Sequence, residues 1–214
     1  MIETVKYYIA LSQGDDGKVQ QLIQEALKAG ELPDAILKEG LISAMEQIGT
    51  KFAEGELYIP EVLIAAKAMH AGLSVLKPIS AEYSGNKMGR VVIGTVRGDI
   101  HDIGKNLVAM MIEGGGFEVV DLGIDVSAEA FVAAIHKHQP HVVGMSALLS
   151  TTMGEMEIVI QAVEKAGLRN RVKTIVGGAP ITEKYARDIG ADGYAREAGS
   201  AGNLVKSLIG KSNQ

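Results

Sequence analysis

One histidine in this sequence stands between two aspartates and is followed by a glycine. Asp99, His101, Asp102 and Gly104 all lie within residues 96–106, VRGDIHDIGKN. A neutral imidazole is a common metal ligand, and a nearby carboxylate can fix its tautomer and raise its basicity. Phosphate binding is disfavoured, because the segment lacks the spacing of phosphate-binding motifs and its carboxylates would repel an anion. These residue types therefore favour a metal site.

The segment offers a metal only one strong ligand. The chain has no cysteine, and His136, His138 and His141 lie on a later helix and loop without the spacing of a zinc-binding pair. Zinc needs three or four protein ligands. A single axial histidine instead suits a metal whose other positions are filled by a macrocycle.

The two halves of the chain have different apolar periods. Residues 1–77 repeat apolar side chains at helical spacing, which predicts an N-terminal all-α four-helix bundle joined by short loops. This period is lost over residues 78–89, PISAEYSGNKMG, which predicts a linker. Residues 90–214 alternate Val- and Ile-rich runs with amphipathic segments and predict an α/β domain.

This second domain is predicted to be a doubly wound, flavodoxin- or Rossmann-like parallel sheet of five strands. Its predicted strands are the runs RVVIGTV, EVVDLG, HVVGMSA, KTIVGG and DGYA. Helices are predicted near residues 102–114, 127–138, 153–167, 181–190 and 200–209. Ligands of such sheets bind at the carboxyl ends of the strands, and the histidine segment follows the first strand. It is therefore predicted to lie at the ligand-binding edge.

Composition excludes several classes of function. The net charge is −5, without basic runs or interleaved aromatic residues, which argues against nucleic acid as a partner. No leader is recognised and no apolar run approaches the about 18 residues of a membrane span, so no membrane association is expected. The lack of cysteine fits a reducing compartment and favours a cytoplasmic protein.

Three elements of the second half also resemble the signatures of cobalamin-binding proteins. Residues 99–104 resemble the DxHxxG motif, and after 41 intervening residues SAL resembles the SxL element. After 28 more, a pair of glycines resembles the GG element. A lone DxHxxG would more simply be an ordinary loop, but three elements in order are far more specific. In the first half, FAEGELYIPEVLIAAKAMHAGL resembles the helical cap of corrinoid proteins in methyltransferase systems and of cobalamin-dependent methionine synthase.

The resemblance implies that the chain binds cobalamin or a related corrinoid, with methylcobalamin as the carrier form. The cofactor would be bound base-off, with its nucleotide tail pulled away from cobalt and threaded into the sheet. His101 would be the lower ligand of cobalt, and Asp99 would orient its imidazole. The residues placed at the cofactor by the resemblance are Gly98, Asp99, His101, Asp102, Ile103, Gly104, Ser146, Leu148, Ser150, Thr152, Gly177 and Gly178.

Particular roles follow from the same resemblance. Ser146 would hydrogen-bond the nucleotide tail, and Gly177 and Gly178 would leave it room. The family commonly extends the histidine–aspartate relay to a serine just beyond SxL. The matching position here is Thr152, with Ser150 nearby.

The function implied is that of a methyl carrier, which is a subunit of a methyltransferase system rather than a complete enzyme. One partner would be a substrate-specific methyltransferase, and another a corrinoid:acceptor methyltransferase using a folate or thiol acceptor. Family analogy adds a reductive activase. Two alternatives are the cobalamin-binding subunit of an adenosylcobalamin-dependent mutase and a cobalamin-sensing regulator. Mutase subunits resemble the second half alone, and no basic helix-turn-helix precedes the bundle, so the methyl carrier is favoured.

Overall fold

The computed structural model describes residues 2–76 and 88–211. The chain divides into two compact units, the first of Met1–Met88 with Met110–Gly116 and the second of Gly89–Ala109 with Phe117–Gln214. Most of the linker predicted at 78–89 lies outside the described residues. The domain boundaries at 77 and 90 therefore stay predictions.

The first unit is a bundle of helices, as the helical apolar period predicted. Its elements are α1 (Thr4–Ser12), α2 (Asp16–Lys28), α3 (Pro33–Ala35), a π-helical segment (Ile36–Ile42), α4 (Ser43–Ala53) and α5 (Ile59–Leu76). The last three elements before α5 run on without a break, so residues 2–76 form four helical stretches. The π-helical segment was not predicted, and Gly40 within it packs on an aromatic ring. A Cβ at Gly40 would stand 3.1 Å from Cε2 of Tyr7.

One expectation about apolar runs was wrong. Helix α5 has 18 residues with a mean hydropathy of 1.4, so by length and composition alone it could cross a membrane. Its buried side chains, however, belong to the core of the bundle, among them Val62, Met69 and Leu76. The core helix of a bundle accounts for this composition, because a helix packed on several sides is apolar around most of its circumference.

The described residues of the second unit form the predicted five-stranded parallel sheet, in the order β2-β1-β3-β4-β5. The strands are β1 (Arg90–Thr95), β2 (Glu118–Asp121), β3 (Val142–Ser146), β4 (Lys173–Gly177) and β5 (Gly193–Ala195). The helices that follow β1 are α6 (Ile103–Gly114), whose residues from Met110 onward are counted with the first unit, α7 (Ala128–His138), α8 (Gly154–Lys165), α9 (Glu183–Asp188) and α10 (Ala198–Lys211). The fold class predicted from the sequence is thus confirmed. Strands of such a sheet are buried on both faces, which explains their continuous apolar runs.

Strand register places three polar or small residues side by side at the carboxyl edge of the sheet. Thr95 at the end of β1 pairs with Ser146 at the end of β3, and Ser146 pairs with Gly177 at the end of β4. The chain therefore leaves these three neighbouring strands at the same level, and the loops that follow are neighbours.

Candidate functional site

The three motifs recognised in the sequence lie on the loops that follow β1, β3 and β4. Asp99 and His101 follow β1, Leu148 and Thr152 follow β3, and Gly178 follows β4. Because parallel strands end at one edge, residues up to 79 positions apart in the sequence come to the same part of the sheet.

Asp99 connects the first two of these loops. Its side chain is fully buried, and its Oδ1 lies 2.7 Å from Nδ1 of His101 and accepts the backbone N–H of His101 at 3.1 Å. Its Oδ2 accepts hydrogen bonds from the N–H groups of Leu148 at 2.8 Å and Leu149 at 3.3 Å, and from the Thr152 hydroxyl at 2.7 Å. Both oxygens of the carboxylate are therefore saturated with donors.

These donors determine the charge of Asp99. Burial raises the pKa of its carboxyl, but the hydrogen bonds from Thr152, Leu148 and His101 outweigh burial and hold the pKa well below its usual range. An ionised carboxylate only accepts hydrogen bonds, so the His101 nitrogen that faces it, Nδ1, carries the hydrogen. This tautomer leaves a lone pair on Nε2, in a ring whose side chain is 46% exposed.

The structure distinguishes the two hydroxyl groups considered as the end of the relay. Thr152 is buried and its Oγ1 donates to Asp99, whereas Ser150 is exposed. Thr152 Oγ1 also lies 3.0 Å from the carbonyl oxygen of Leu149, and this contact fixes the orientation of the Thr152 side chain within the loop after β3. The threonine thus reaches the aspartate despite its extra methyl group.

The fold requires glycine at one of two motif positions, 178, and does not require it at the other, 104. A Cβ at Gly178 would stand 1.8 Å from the carbonyl oxygen of Ala147, so backbone packing between two loops alone requires glycine there. A Cβ at Gly104 would meet nothing within 4 Å, and no positive φ requires glycine at this second position of α6. Gly104 therefore leaves open space beside the His101 loop.

Large apolar side chains are exposed on the loops at this edge. Ile100 is 70% exposed and Ile103 is 73% exposed beside His101, and Leu148, Leu149 and Ile124 of the neighbouring loops are also exposed. Clustered exposed apolar side chains mark surfaces that bind a ligand or partner. The edge thus combines one half-exposed imidazole with apolar surface around it.

Sequence reasoning missed a residue that supports the loop after β1. Asp125, in the loop after β2, accepts the N–H of Gly98 at 2.7 Å, and its own N–H donates to the carbonyl of Asp99 at 3.0 Å. Its φ of 53° is in the left-handed region, which aspartate tolerates better than most residues. The one available signal was an aspartate shortly after a predicted strand.

Asp102, by contrast, has a local role at the start of α6. Its carbonyl accepts the N–H of Asn106 at 2.7 Å, and its carboxylate accepts the side-chain amide of Asn106 at 3.1 Å. Ser146 is half-buried opposite Gly177. Contact of these residues with a cofactor remains a prediction.

The fold and the three motifs together define a class, the cobalamin-binding proteins. Two family models, each described as a B12 binding domain, match the chain, one over residues 89–201 and one over residues 5–77. The chain belongs to this family, and its cofactor is cobalamin or a related corrinoid.

Known relatives cover nearly the whole chain. The trimethylamine corrinoid protein of Methanosarcina barkeri is 43% identical over 202 residues, which are 94% of this chain and 93% of that protein. A cobalamin-binding protein of Desulfitobacterium hafniense has a TM-score of 0.83 at 30% identity, covering 97% of this chain and 99% of that one. A chain of the methanol:cobalamin methyltransferase complex MtaBC of Methanosarcina barkeri has a TM-score of 0.82 at 30% identity, covering 96% of this chain and 78% of that one.

Proposed function

We propose that the protein carries a methyl group on the cobalt of its corrinoid between two methyltransferases. One is substrate-specific and takes the methyl group from its donor, and the other delivers it to a folate or thiol acceptor. The observation that carries this proposal is the likeness to a trimethylamine corrinoid protein across both units of the chain, including the helical half matched as a B12 binding domain. The likeness to a chain of a methyltransferase complex supports the partnership.

The described residues at the sheet edge fit a corrinoid. A flat macrocycle needs apolar surface and close approach, and both are offered by the exposed Ile100 and Ile103 and by the open space at Gly104. His101 would be the lower ligand through Nε2. When bound, the corrinoid supplies a cobalt that can accept and release a methyl group.

The residues around His101 would set its protonation. Asp99, held ionised by Thr152 and Leu148, keeps a hydrogen on Nδ1 and so presents Nε2 as a ligand. The Asp99 carboxylate thus orients the ring from the nitrogen opposite the proposed ligand atom.

Further parts of the proposal concern the nucleotide tail and the cell. Ser146 would hydrogen-bond the tail at the end of β3, and Gly177 would leave room beside it. A reductive activase would restore cobalt after accidental oxidation. We propose a cytoplasmic location, with which the lack of cysteine, and hence of disulfides, is compatible.

The proposal is tested by the absorbance spectrum of the protein reconstituted with hydroxocobalamin. We expect a base-off, histidine-ligated spectrum that is lost in His101→Ala, because only this imidazole is proposed to reach cobalt. The matched control is His136→Ala, which removes an exposed histidine from α7 and leaves the spectrum unchanged. Failure to bind corrinoid, or the same spectrum in His101→Ala, contradicts the proposal. Methyl transfer from methylamines and methanol, each with its methyltransferase, then identifies the donor.

Gly104→Ala provides a second test that separates binding from folding. Alanine fits the open space and has a higher helix propensity, so the melting temperature of the apoprotein is expected to stay the same or rise. Corrinoid affinity is expected to fall by about 5- to 150-fold, since one misplaced methyl group in a tight contact costs about 1–3 kcal/mol. The measurement is equilibrium binding of hydroxocobalamin.

The matched control for this test is Gly17→Ala. Gly17 is also an exposed second residue of a helix, and its Cβ would meet only Asp15 Oδ1 at an ordinary 3.6 Å. Its substitution is expected to leave corrinoid affinity unchanged. Equal affinity of wild type and Gly104→Ala would show that nothing approaches Gly104.

A further inference from the structure

A buried charge next to the His101 loop has no part in the ligation proposed above. The side chain of Lys105, on the first turn of α6, is only 1% exposed. Its Nζ forms an ion pair with Oδ2 of Asp121 at the end of β2 and donates to Oδ1 of Asn106 at 2.7 Å. A buried ammonium group is costly unless it is paired, so this arrangement is strongly held.

The contacts of Lys105 continue in both directions. On one side, the amide of Asn106 donates to the carboxylate of Asp102 at 3.1 Å, which ties Lys105 to the residue after His101. On the other side, Asp121 Oδ1 accepts the N–H of Gly123 at 2.8 Å. The ion pair thus links the start of α6 to the loop after β2.

Thr95 closes these contacts into a circuit. The carbonyl of Gly123 accepts the N–H of Thr95 at 3.0 Å. The hydroxyl of Thr95, which is fully buried, donates to the carbonyl oxygen of His101 at 2.9 Å. The carbonyl of His101 is therefore held by Thr95, and the carboxylate and carbonyl of the next residue, Asp102, are held by Asn106.

We propose that this circuit is a clamp that fixes the backbone of His101 for ligation, with Thr95, Lys105 and Asp121 as its positioning residues. The inference rests on the proposed function, in which His101 is the ligand of cobalt. Asp99 sets the tautomer of the His101 ring, whereas the clamp fixes the position of the backbone that carries the ring. The loop needs such a clamp because it has glycine at 98 and 104, and glycine loses more conformational freedom on ordering than other residues.

The charge in the circuit makes the clamp selective for one backbone position. If Asp102 moved with the loop, the Asn106 amide would lose its carboxylate acceptor, and the side chain that accepts from Lys105 would be held less firmly. An unmet hydrogen bond to a buried charged group costs more than one between neutral groups. The clamp therefore opposes displacement of His101 even before the cofactor binds.

Three variants test the clamp in the full-length protein. Thr95→Val keeps the shape of the side chain and removes the hydroxyl, and Thr95→Ser keeps the hydroxyl and serves as the conservative rescue. Asp121→Asn removes the charge that pairs with Lys105. Its control is Asp188→Asn, which breaks the exposed ion pair between Lys184 and Asp188.

The first measurement is the ratio of histidine-on to histidine-off cobalamin by absorbance at saturating hydroxocobalamin. We expect the ratio to fall about fivefold in Thr95→Val, as for loss of one hydrogen bond of ordinary strength, and by about fivefold or more in Asp121→Asn, which removes the partner of a buried charge. Thr95→Ser and Asp188→Asn should keep the wild-type ratio. An unchanged ratio in Thr95→Val and Asp121→Asn, when His101→Ala abolishes ligation, overturns the clamp and leaves the proposed function standing.

The second measurement needs no cofactor and so separates the two ideas. Hydrogen exchange of the His101 and Asn106 amides in the apoprotein should be about fivefold faster in Thr95→Val and Asp121→Asn than in wild type, while amides of β4 keep their rates. Faster exchange confined to these amides supports the clamp even if wild type shows no histidine ligation, a result that would sink the proposed function alone. Unchanged exchange overturns the clamp.

Discussion

Asp99→Asn is expected to lower the free energy of unfolding of the apoprotein by about 3 kcal/mol, the range for removing the charged partner of a buried, hydrogen-bonded group. The carboxylate accepts hydrogen bonds at both oxygens from the N–H groups of His101 and Leu148, the Thr152 hydroxyl and the imidazole. An amide replaces one acceptor by an NH2 group, which would then face other donors at short distance. Urea denaturation followed by far-ultraviolet circular dichroism measures the change.

The same substitution should alter the tautomer of His101. The amide loses least when its NH2 group faces Nδ1 of the ring, because this nitrogen can become an acceptor by moving its hydrogen to Nε2. That tautomer removes the lone pair that ligation requires. The histidine-ligated spectrum should therefore be largely lost in Asp99→Asn, even where corrinoid still binds.

Asp102→Asn is the matched control for this prediction. Asp102 is exposed and its carboxylate accepts one hydrogen bond, from Asn106, so its substitution should cost less than about 1 kcal/mol. Equal stability of Asp99→Asn and wild type would mean that the donors around Asp99 find other partners. Full histidine ligation in Asp99→Asn would contradict the tautomer argument.

The sheet was predictable because its strands are buried on both faces. RVVIGTV, for example, has β-branched residues at five of its seven positions, and β1 occupies Arg90–Thr95 within it. The loop with His101 then had to lie at the carboxyl edge, since every strand of a doubly wound sheet points the same way. Local sequence patterns thus determined the layers of the second unit and the edge that carries the loop.

Contacts between distant residues depended on other information. No local pattern joins Asp99 to Thr152, 53 positions later, and only the spacing of the family motifs pointed to that pair. The ion pair of Lys105 with Asp121 was not predicted, because a lysine in the first turn of an amphipathic helix is usually solvated. Whether such a charge is buried depends on the strand that supplies its partner, here β2 with Asp121, and the local sequence of the helix carries no information about that strand.

The π-helical segment of the first unit illustrates the same limit. Residues 36–42 carry a helical apolar pattern, and this pattern does not distinguish an α-helix from a wider turn. The wider turn occurs where Gly40 packs against the ring of Tyr7 from another helix. It is therefore a consequence of tertiary packing, and the helix itself was predicted correctly.

Gly178→Ala is expected to destabilise the second unit by about 4 kcal/mol or more, a size that is exceptional for one methyl group. Its φ is 132°, which side chains rarely adopt, and the added Cβ would stand 1.8 Å from the carbonyl oxygen and 2.8 Å from the carbonyl carbon of Ala147. Carbon prefers separations of about 3.5 Å or more from such atoms, and backbone cannot turn aside as a flexible side chain can. The loops after β3 and β4 would have to separate at the edge that carries Asp99 and Thr152.

Gly167→Ala separates the strain of a positive φ from the clash at Gly178. Gly167 has a φ of 71° and open space within 4 Å, so alanine there should cost only about 1 kcal/mol. The difference between the two urea midpoints then reports the close approach of the loops together with the stricter backbone requirement of a φ of 132°. If the two substitutions cost the same, the backbone of Ala147 yields to a side chain. Gly178 would then be required by the nucleotide tail of the corrinoid. In that case Gly178→Ala would lower the affinity for corrinoid and leave the stability of the fold unchanged.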